Sequence, residues 1–207
     1  MPNWCNNTLK VYGPEAAIKR FLQQVTNDKG EFTFEKTVPR PPELDITSGT
    51  SVDNAVDVMD AEKGKWDGVD EKLEWPVWVE AAGIVAGMPI KKQRELMLAN
   101  MKKNLSEKDM QEGRQSIENK KKYGCKDWYD WNVKNWGTKW DAGEGSTIDE
   151  MGDSAEIMFD TAWAPPIEWV KTTELKFPDI KFELHYDEPG MCFKGVYSSG
   201  KDKCINY

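Results

Sequence analysis

Trp4-Cys-Asn-Asn-Thr-Leu-Lys-Val-Tyr12 alternates, with Cys5, Asn7, Leu9 and Val11 on one face and Trp4, Asn6, Thr8, Lys10 and Tyr12 on the other. This pattern predicts a strand with one buried side. Gly13-Pro14 ends it, and proline suits the first turn of a helix. The helix follows, with Ala17, Ile18, Phe21, Leu22 and Val25 forming one apolar stripe. Asn27 to Gly30 is a stop signal, and Phe32-Thr-Phe34 then predicts a second strand, which completes a β-α-β unit.

The far end repeats the pattern. Ala155 to Ala162 reads as a strand, and Pro165-Pro166 opens a short helix with Ile167, Val170 and Leu175 on its apolar side. Ile180 to Tyr186 alternates, with Ile180, Phe182, Leu184 and Tyr186 sharing a face. Asp187-Glu-Pro-Gly190 is a turn, and Met191 to Tyr197 closes a hairpin. Two β-α-β units are the parts of a β-α-β-β-α-β ferredoxin-like motif. The predicted class is therefore α+β: a split ferredoxin-like core from 1–37 plus 154–207, with an extra C-terminal hairpin strand and a large, partly helical insertion over 38–153.

The insertion opens in Val38-Pro-Arg-Pro-Pro42, which suits no central strand. It divides into an acidic segment, a helical segment and a Trp-rich segment. Glu43 to Glu74 holds ten acids and three bases, and Lys91 to Lys126 holds eleven bases and five acids. Lys91 to Tyr123 predicts helix, since Met97, Met101 and Leu105 step by four and Met110 and Ile117 continue less regularly around Gly113. Gly124 suits a C-cap. Asp141 to Glu156 adds six acids and no base.

The bulk composition restricts function. A 207-residue chain with net charge −8 is a poor non-specific binder of duplex nucleic acid, which is held by neutralising phosphates. The cysteines, Cys5, Cys125, Cys192 and Cys204, lack metal-ligand spacing, and His185 is the single histidine, so no metal site and no cofactor are expected. The start is polar and no apolar run approaches membrane length, so the expected location is the cytoplasm, with reduced thiols.

The densest feature is Asp127-Trp-Tyr-Asp-Trp-Asn-Val-Lys-Asn-Trp-Gly-Thr-Lys-Trp140. Trp128, Trp131, Trp136 and Trp140, with Asn135 and Lys139 among them, either fill a seam of the core or form a stacking surface. Gly137 in this word predicts positive φ or close backbone approach. Trp4 and Asn6 belong to a second candidate, the polar start of the first strand, where asparagines either close an amide network or meet a ligand. In the usual 4-1-3-2 strand order the fourth strand lies beside the first, which makes Cys5 and His185 a candidate dyad. Thr161-Ala-Trp-Ala-Pro-Pro166 reads as structural. No P-loop, G-x-G-x-x-G fingerprint or G-x-S-x-G elbow is present, and no D-x-D or E-x-x-H arrangement singles out any of the abundant paired carboxylates, so no catalytic residue is assigned and the protein is read as a non-enzyme.

Several words occur in order: Met1-Pro-Asn-Trp-Cys-Asn-Asn with Val11-Tyr-Gly13, Val38-Pro-Arg-Pro-Pro-Glu-Leu44, Asn135-Trp-Gly-Thr-Lys-Trp-Asp-Ala142, Phe159-Asp-Thr-Ala-Trp-Ala-Pro-Pro166, and Tyr186-Asp-Glu-Pro-Gly190 with Phe193-Lys-Gly195. Together they resemble the YubB-like (Api-type) family of phage and conjugative-plasmid proteins. The resemblance implies a ferredoxin-like domain and a mobile-element setting, and it carries over no catalytic residue. The stretch from about Asp45 to Glu118 is longer and more charged than the family pattern.

The functional expectation is a non-enzymatic binding protein of a phage or plasmid, acting on a host defence or nucleic-acid enzyme by protein–protein contact. The alternative is a single-stranded nucleic-acid-binding module. In that case the Trp residues stack bases, and Lys91, Lys92, Arg94 and Lys120 to Lys122 track phosphates from a basic helical face.

Overall fold

The computed structural model describes residues 3–65, 88–142 and 145–207. They divide into two units, 1–41 with 129–207, and 42–128. The Trp-rich segment from Tyr129 onward therefore groups with the sheet, whereas the sequence-based division placed all of 38–153 in the insertion.

The first unit is built on a six-stranded antiparallel sheet. Its strands are β1 (Trp4–Tyr12), β2 (Thr147–Glu150), β3 (Ser154–Ala162), β4 (Lys181–Glu188), β5 (Phe193–Ser198) and β6 (Lys201–Asn206), in the order β2-β3-β1-β4-β5-β6. The first four strands, with α1 (Glu15–Val25) after β1 and α6 (Ile167–Lys176) after β3, have the β-α-β-β-α-β order and 4-1-3-2 arrangement of a ferredoxin-like core. Beyond β4 the sheet continues through β5 and β6, so the C-terminal addition is two strands, one more than expected.

The second strand differs from the sequence expectation. Phe32 to Phe34 forms only an isolated bridge, Thr26 to Phe32, and the strand that completes the first β-α-β unit is β2, more than a hundred residues later. In sequence, the long excursion thus interrupts the first β-α-β motif, between α1 and β2. The Phe-Thr-Phe alternation has another cause. Phe32 and Phe34 are both buried, edge to face at 5.5 Å, and both pack on Phe159 and Trp169. Their backbone donors go to side chains instead of a neighbouring strand: Phe32 N–H to Ser146 Oγ at 3.0 Å and Phe34 N–H to Asp141 Oδ1 at 2.6 Å.

The core lies between the inward side of the sheet and the helices. Cys5, Leu9, Val11, Ile157, Phe182 and Leu184 meet Ile18, Phe21 and Val25 of α1 and Trp169 and Val170 of α6. Phe21 sits edge-on to Phe177 and Phe182 at 5.3 and 5.4 Å. Indole donors are satisfied internally, Trp169 Nε1 by Thr37 Oγ1 at 2.8 Å and Trp136 Nε1 by Val38 O at 2.9 Å. Leu175, expected on the apolar side of α6, is 84% exposed. The helix turns Trp169, Val170 and Thr173 inward, and Leu175 falls on the opposite face.

The second unit packs α2 (Thr50–Glu62), α3 (Ile90–Asn104) and α4 (Glu107–Tyr123). Within the acidic stretch, for which the sequence assigned no element, Val52, Ala55, Val58 and Met59 form the buried stripe of α2. The predicted helix over Lys91 to Tyr123 is two helices. The chain breaks at Leu105, where Ser106 and Asp109 form a reciprocal capping box that starts α4. Gly113 is buried mid-helix because a Cβ there would lie 2.9 Å from both Ala55 Cβ and Met59 Cε. Gly124 ends α4 in the left-handed conformation, as expected. Buried Asn119 donates to Glu43 O at 2.8 Å and Lys126 O at 3.3 Å, and Lys126 pairs with Asp53 at 2.7 Å. The expectations for Trp66 to Glu74 fall outside the described residues. No helix among the described residues is long and apolar enough to cross a membrane.

Candidate functional site

The Trp-rich segment is divided between core and surface. It begins as α5 (Trp128–Asn135) and continues through the Trp-Gly-Thr-Lys-Trp turn. Trp131 and Trp136 are buried and meet edge to face at 5.5 Å. Asn135 Nδ2 donates to Trp131 O at 2.8 Å, a local cap on the helix end. Gly137 has φ +86°, and a Cβ on it would approach Pro165 O at 3.2 Å, so both reasons anticipated for a glycine hold. Trp128 is half-buried and belongs to the second unit. The proposed platform of Trp128, Trp131, Trp136 and Trp140 therefore does not exist as a surface: of Trp131, Trp136 and Trp140, the last alone is open.

A different set of rings is open. Trp140 and Trp4 are 38% and 44% exposed and tilt against each other with centroids 6.2 Å apart. Trp163 is 44% exposed, and Lys139 Nζ lies 4.8 Å from its ring centroid and 4.6 Å from that of Trp140. Tyr129 closes the group, 5.9 Å from the same ammonium. The backbone beneath is pinned at three points: Thr138 Oγ1 donates to Ala162 O at 3.0 Å, Trp163 N–H to Asn3 O at 2.9 Å, and Asn132 Nδ2 to Lys139 O at 2.8 Å. Trp163 has φ 70°, a left-handed conformation unfavourable for a large side chain. Trp163 thus combines a strained backbone conformation with a half-open ring. The sequence reading had taken Trp163 as structural.

The pad continues onto the outward face of the sheet. Trp4 leads along β1 to Asn6, Thr8, Lys10 and Tyr12. Asn6 stands opposite Asp160 and Asp187, Thr8 opposite Met158 and His185, and Lys10 opposite Glu156 and Glu183. Asn6 Nδ2 donates to Asp160 Oδ1 at 2.8 Å, so this candidate is engaged within the sheet surface. Across β5 and β6 the Asn6 row runs through Lys194 to Ile205, the Thr8 row ends in Lys203 and the Lys10 row in Lys201, and a shallow groove of about 420 Å³ runs over Thr8, His185, Val196 and Lys203. By register, the outward face carries Lys10, Lys181, Lys194, Lys201 and Lys203 against Asp149, Glu156, Asp160, Glu183 and Asp187. That balance of cations and carboxylates leaves no excess to neutralise phosphates.

Cys5 and His185 do not form a dyad. Cys5 faces the core and His185 the open side, where its Nε2 meets Glu183 Oε1 at 2.6 Å. Burial first, then the nearby Glu188 and Asp187 carboxylates, push the Cys5 thiol up to about 12, which removes it as a nucleophile near neutral pH. Asn7 Nδ2 instead donates to Cys5 O and Thr161 Oγ1, both at 2.8 Å, the amide network considered for this end of the sheet. Among the described residues no group of three or more His, Cys, Asp or Glu could hold a metal ion.

Residues 135–206 match the family model described as the ferredoxin-like domain in Api92-like protein. Among solved structures, the chain is similar to the crystal structure of a protein api92 from Yersinia pseudotuberculosis. The identity is 14% and the TM-score 0.46, over 100% of this chain and 98% of that one. No curated protein matches. The sheet order and the family match agree: residues 135–206, which supply every strand but β1, carry a ferredoxin-like domain similar to that of Api92-like proteins.

Proposed function

We propose that the protein is a non-enzymatic binding protein that acts by protein–protein contact through the Trp4, Trp140 and Trp163 pad. Three exposed indoles gathered on a pinned backbone support this reading more than any other observation. Tryptophan is enriched at binding hot spots because it offers large apolar area at little cost in conformational freedom. The charge balance of the outward face favours a protein over single-stranded nucleic acid, whose backbone calls for a cationic track beside the rings.

The setting comes from the sequence resemblance: a phage or plasmid protein working in the host cytoplasm on a defence or nucleic-acid enzyme. Immobilised protein incubated with nuclease-treated host extract is the test. The expected result is a discrete protein retained by the wild-type chain and lost with the Trp140→Ala/Trp163→Ala double variant. Equal retention by both, or a retained species that disappears after nuclease treatment, overturns the reading.

A further inference from the structure

The pad has an internal occupant. The Lys139 ammonium sits 4.6 Å from the Trp140 centroid, 4.8 Å from Trp163 and 5.9 Å from Tyr129, and Trp4 flanks Trp140 at 6.2 Å. Three aromatic rings around one ammonium form a cation–π cage, because each ring face carries the negative lobe of its quadrupole. Among the described residues no carboxylate forms an ion pair with Lys139. Among the described residues the contacts given for this ammonium are with these three rings.

We propose that this cage is a recognition pocket for an ammonium or guanidinium side chain projecting from a basic protein partner, and that Lys139 fills it until the partner docks. The inference rests on the reading of the pad as a docking surface and adds the chemistry of what docks. The negative ring faces favour a cation, and the net charge of −8 on the chain as a whole draws a basic partner toward it. Lysine is suited to a displaceable role, since its ammonium regains full hydration when the flexible stem swings out. The hydrogen bonds that tie down the backbone of the pad run through Thr138, Trp163 and Asn132 and not through Lys139's side chain.

The probe is tetramethylammonium chloride, with sodium chloride at equal ionic strength as the control, read by tryptophan fluorescence. Lys139→Ser empties the cage, and saturable quenching in the millimolar range is expected, at least tenfold tighter than for wild type. Adding Trp163→Ala to that variant is expected to abolish it. A natively folded Lys139→Ser protein without saturable quenching, or one equally quenched after Trp163→Ala, overturns the proposal. A second readout uses the wild-type chain, so that it survives any folding defect of the variant. Amine acylation followed by peptide mass spectrometry is expected to label Lys139 several-fold faster in tetramethylammonium, with other lysines unchanged. An unchanged Lys139 rate overturns the proposal. Loss of a captured host protein in the double tryptophan variant is a separate result, so the cage and the docking reading fail independently.

Discussion

Asp141 accepts the backbone N–H of Phe34 at 2.6 Å and the hydroxyl of Thr33 at 2.6 Å across 107 and 108 residues of sequence. One carboxylate thereby does for this segment part of what a neighbouring strand does elsewhere: it satisfies donors of Thr33 and Phe34, while Ser146 Oγ takes the N–H of Phe32. Hydrogen bonds to a charged group contribute about 1.5–3 kcal/mol each, and loss of the acceptor leaves a part-buried donor unpaired. Asp141→Ala is therefore expected to lower stability by about 2–4 kcal/mol. Urea denaturation followed by tryptophan fluorescence measures this, and a change below about 0.5 kcal/mol contradicts the role. Asp141→Asn, which keeps one acceptor oxygen, is expected to fall between.

Gly113 shows the opposite balance between local preference and packing. Replacing a mid-helix glycine by alanine ordinarily stabilises by about 1 kcal/mol. Here the new Cβ meets the Ala55 Cβ at 2.9 Å, a rigid atom, and the Met59 Cε at 2.9 Å, a flexible one. Overpacking of this kind costs about 1–3 kcal/mol. Gly113→Ala is expected to be destabilising on balance, Gly113→Leu more so, and Ala55→Gly is expected to rescue Gly113→Ala in a double-mutant cycle. Stabilisation by Gly113→Ala alone shows that α2 and α4 are not in close contact there.

The parts of the fold that the sequence made legible are those in which one residue pattern has one physical cause. The alternation of β1 and β4 reports a sheet with one covered face, and the stripe of α1 reports a helix on that face. Gly124 and Gly137 report backbone angles that other residues adopt only under strain. Phe32-Thr-Phe34 misled because alternation also arises when two rings enter a core from an irregular loop. β2, Thr147-Ile-Asp-Glu150, was silent because a four-residue edge strand has a single neighbour and hardly any buried side chain. The site was half legible for a related reason. Composition singled out the Trp-rich word, but which rings turn inward depends on contacts with Val38, Phe34 and Ala162, distant in sequence.

The cysteines should separate by reactivity. Cys5 is buried with its thiol pushed up to about 12, whereas Cys192 and Cys204 are exposed. A native-state thiol assay near pH 8 is expected to modify Cys192 and Cys204 and leave Cys5 untouched until denaturant is added. The same shift sets a pH dependence. The folded-state value lies above that of the unfolded chain, so the folded form holds its proton more tightly. The contribution is complete below the unfolded value near 8.5–9 and declines as pH rises toward about 12. Tyr197, raised to about 12 by burial and then by Glu174, acts in the same direction over a narrower range, from about 10 upward. Cys5→Ala is expected to flatten the loss of stability between pH 9 and 10.5, measured by denaturant melts, and an unchanged slope contradicts the assignment.

Trp163 and Trp136 are expected to respond to removal to very different degrees, which separates surface from core. Trp136 is 1% exposed and its indole N–H is bonded to Val38 O, so Trp136→Ala opens a large cavity and orphans an acceptor. A loss of about 3–5 kcal/mol is expected. Trp163 sits at φ 70°, where a non-glycine residue is strained by about 1–2 kcal/mol and glycine is not. What it loses on truncation is the buried half of the ring and a contact with Lys139, a loss that the strain relieved offsets in part. Trp163→Gly is therefore expected to cost clearly less stability than Trp136→Ala while losing capture of the host protein. A Trp163→Gly variant that is both destabilised by more than about 1 kcal/mol and undiminished in capture shows the ring to be structural.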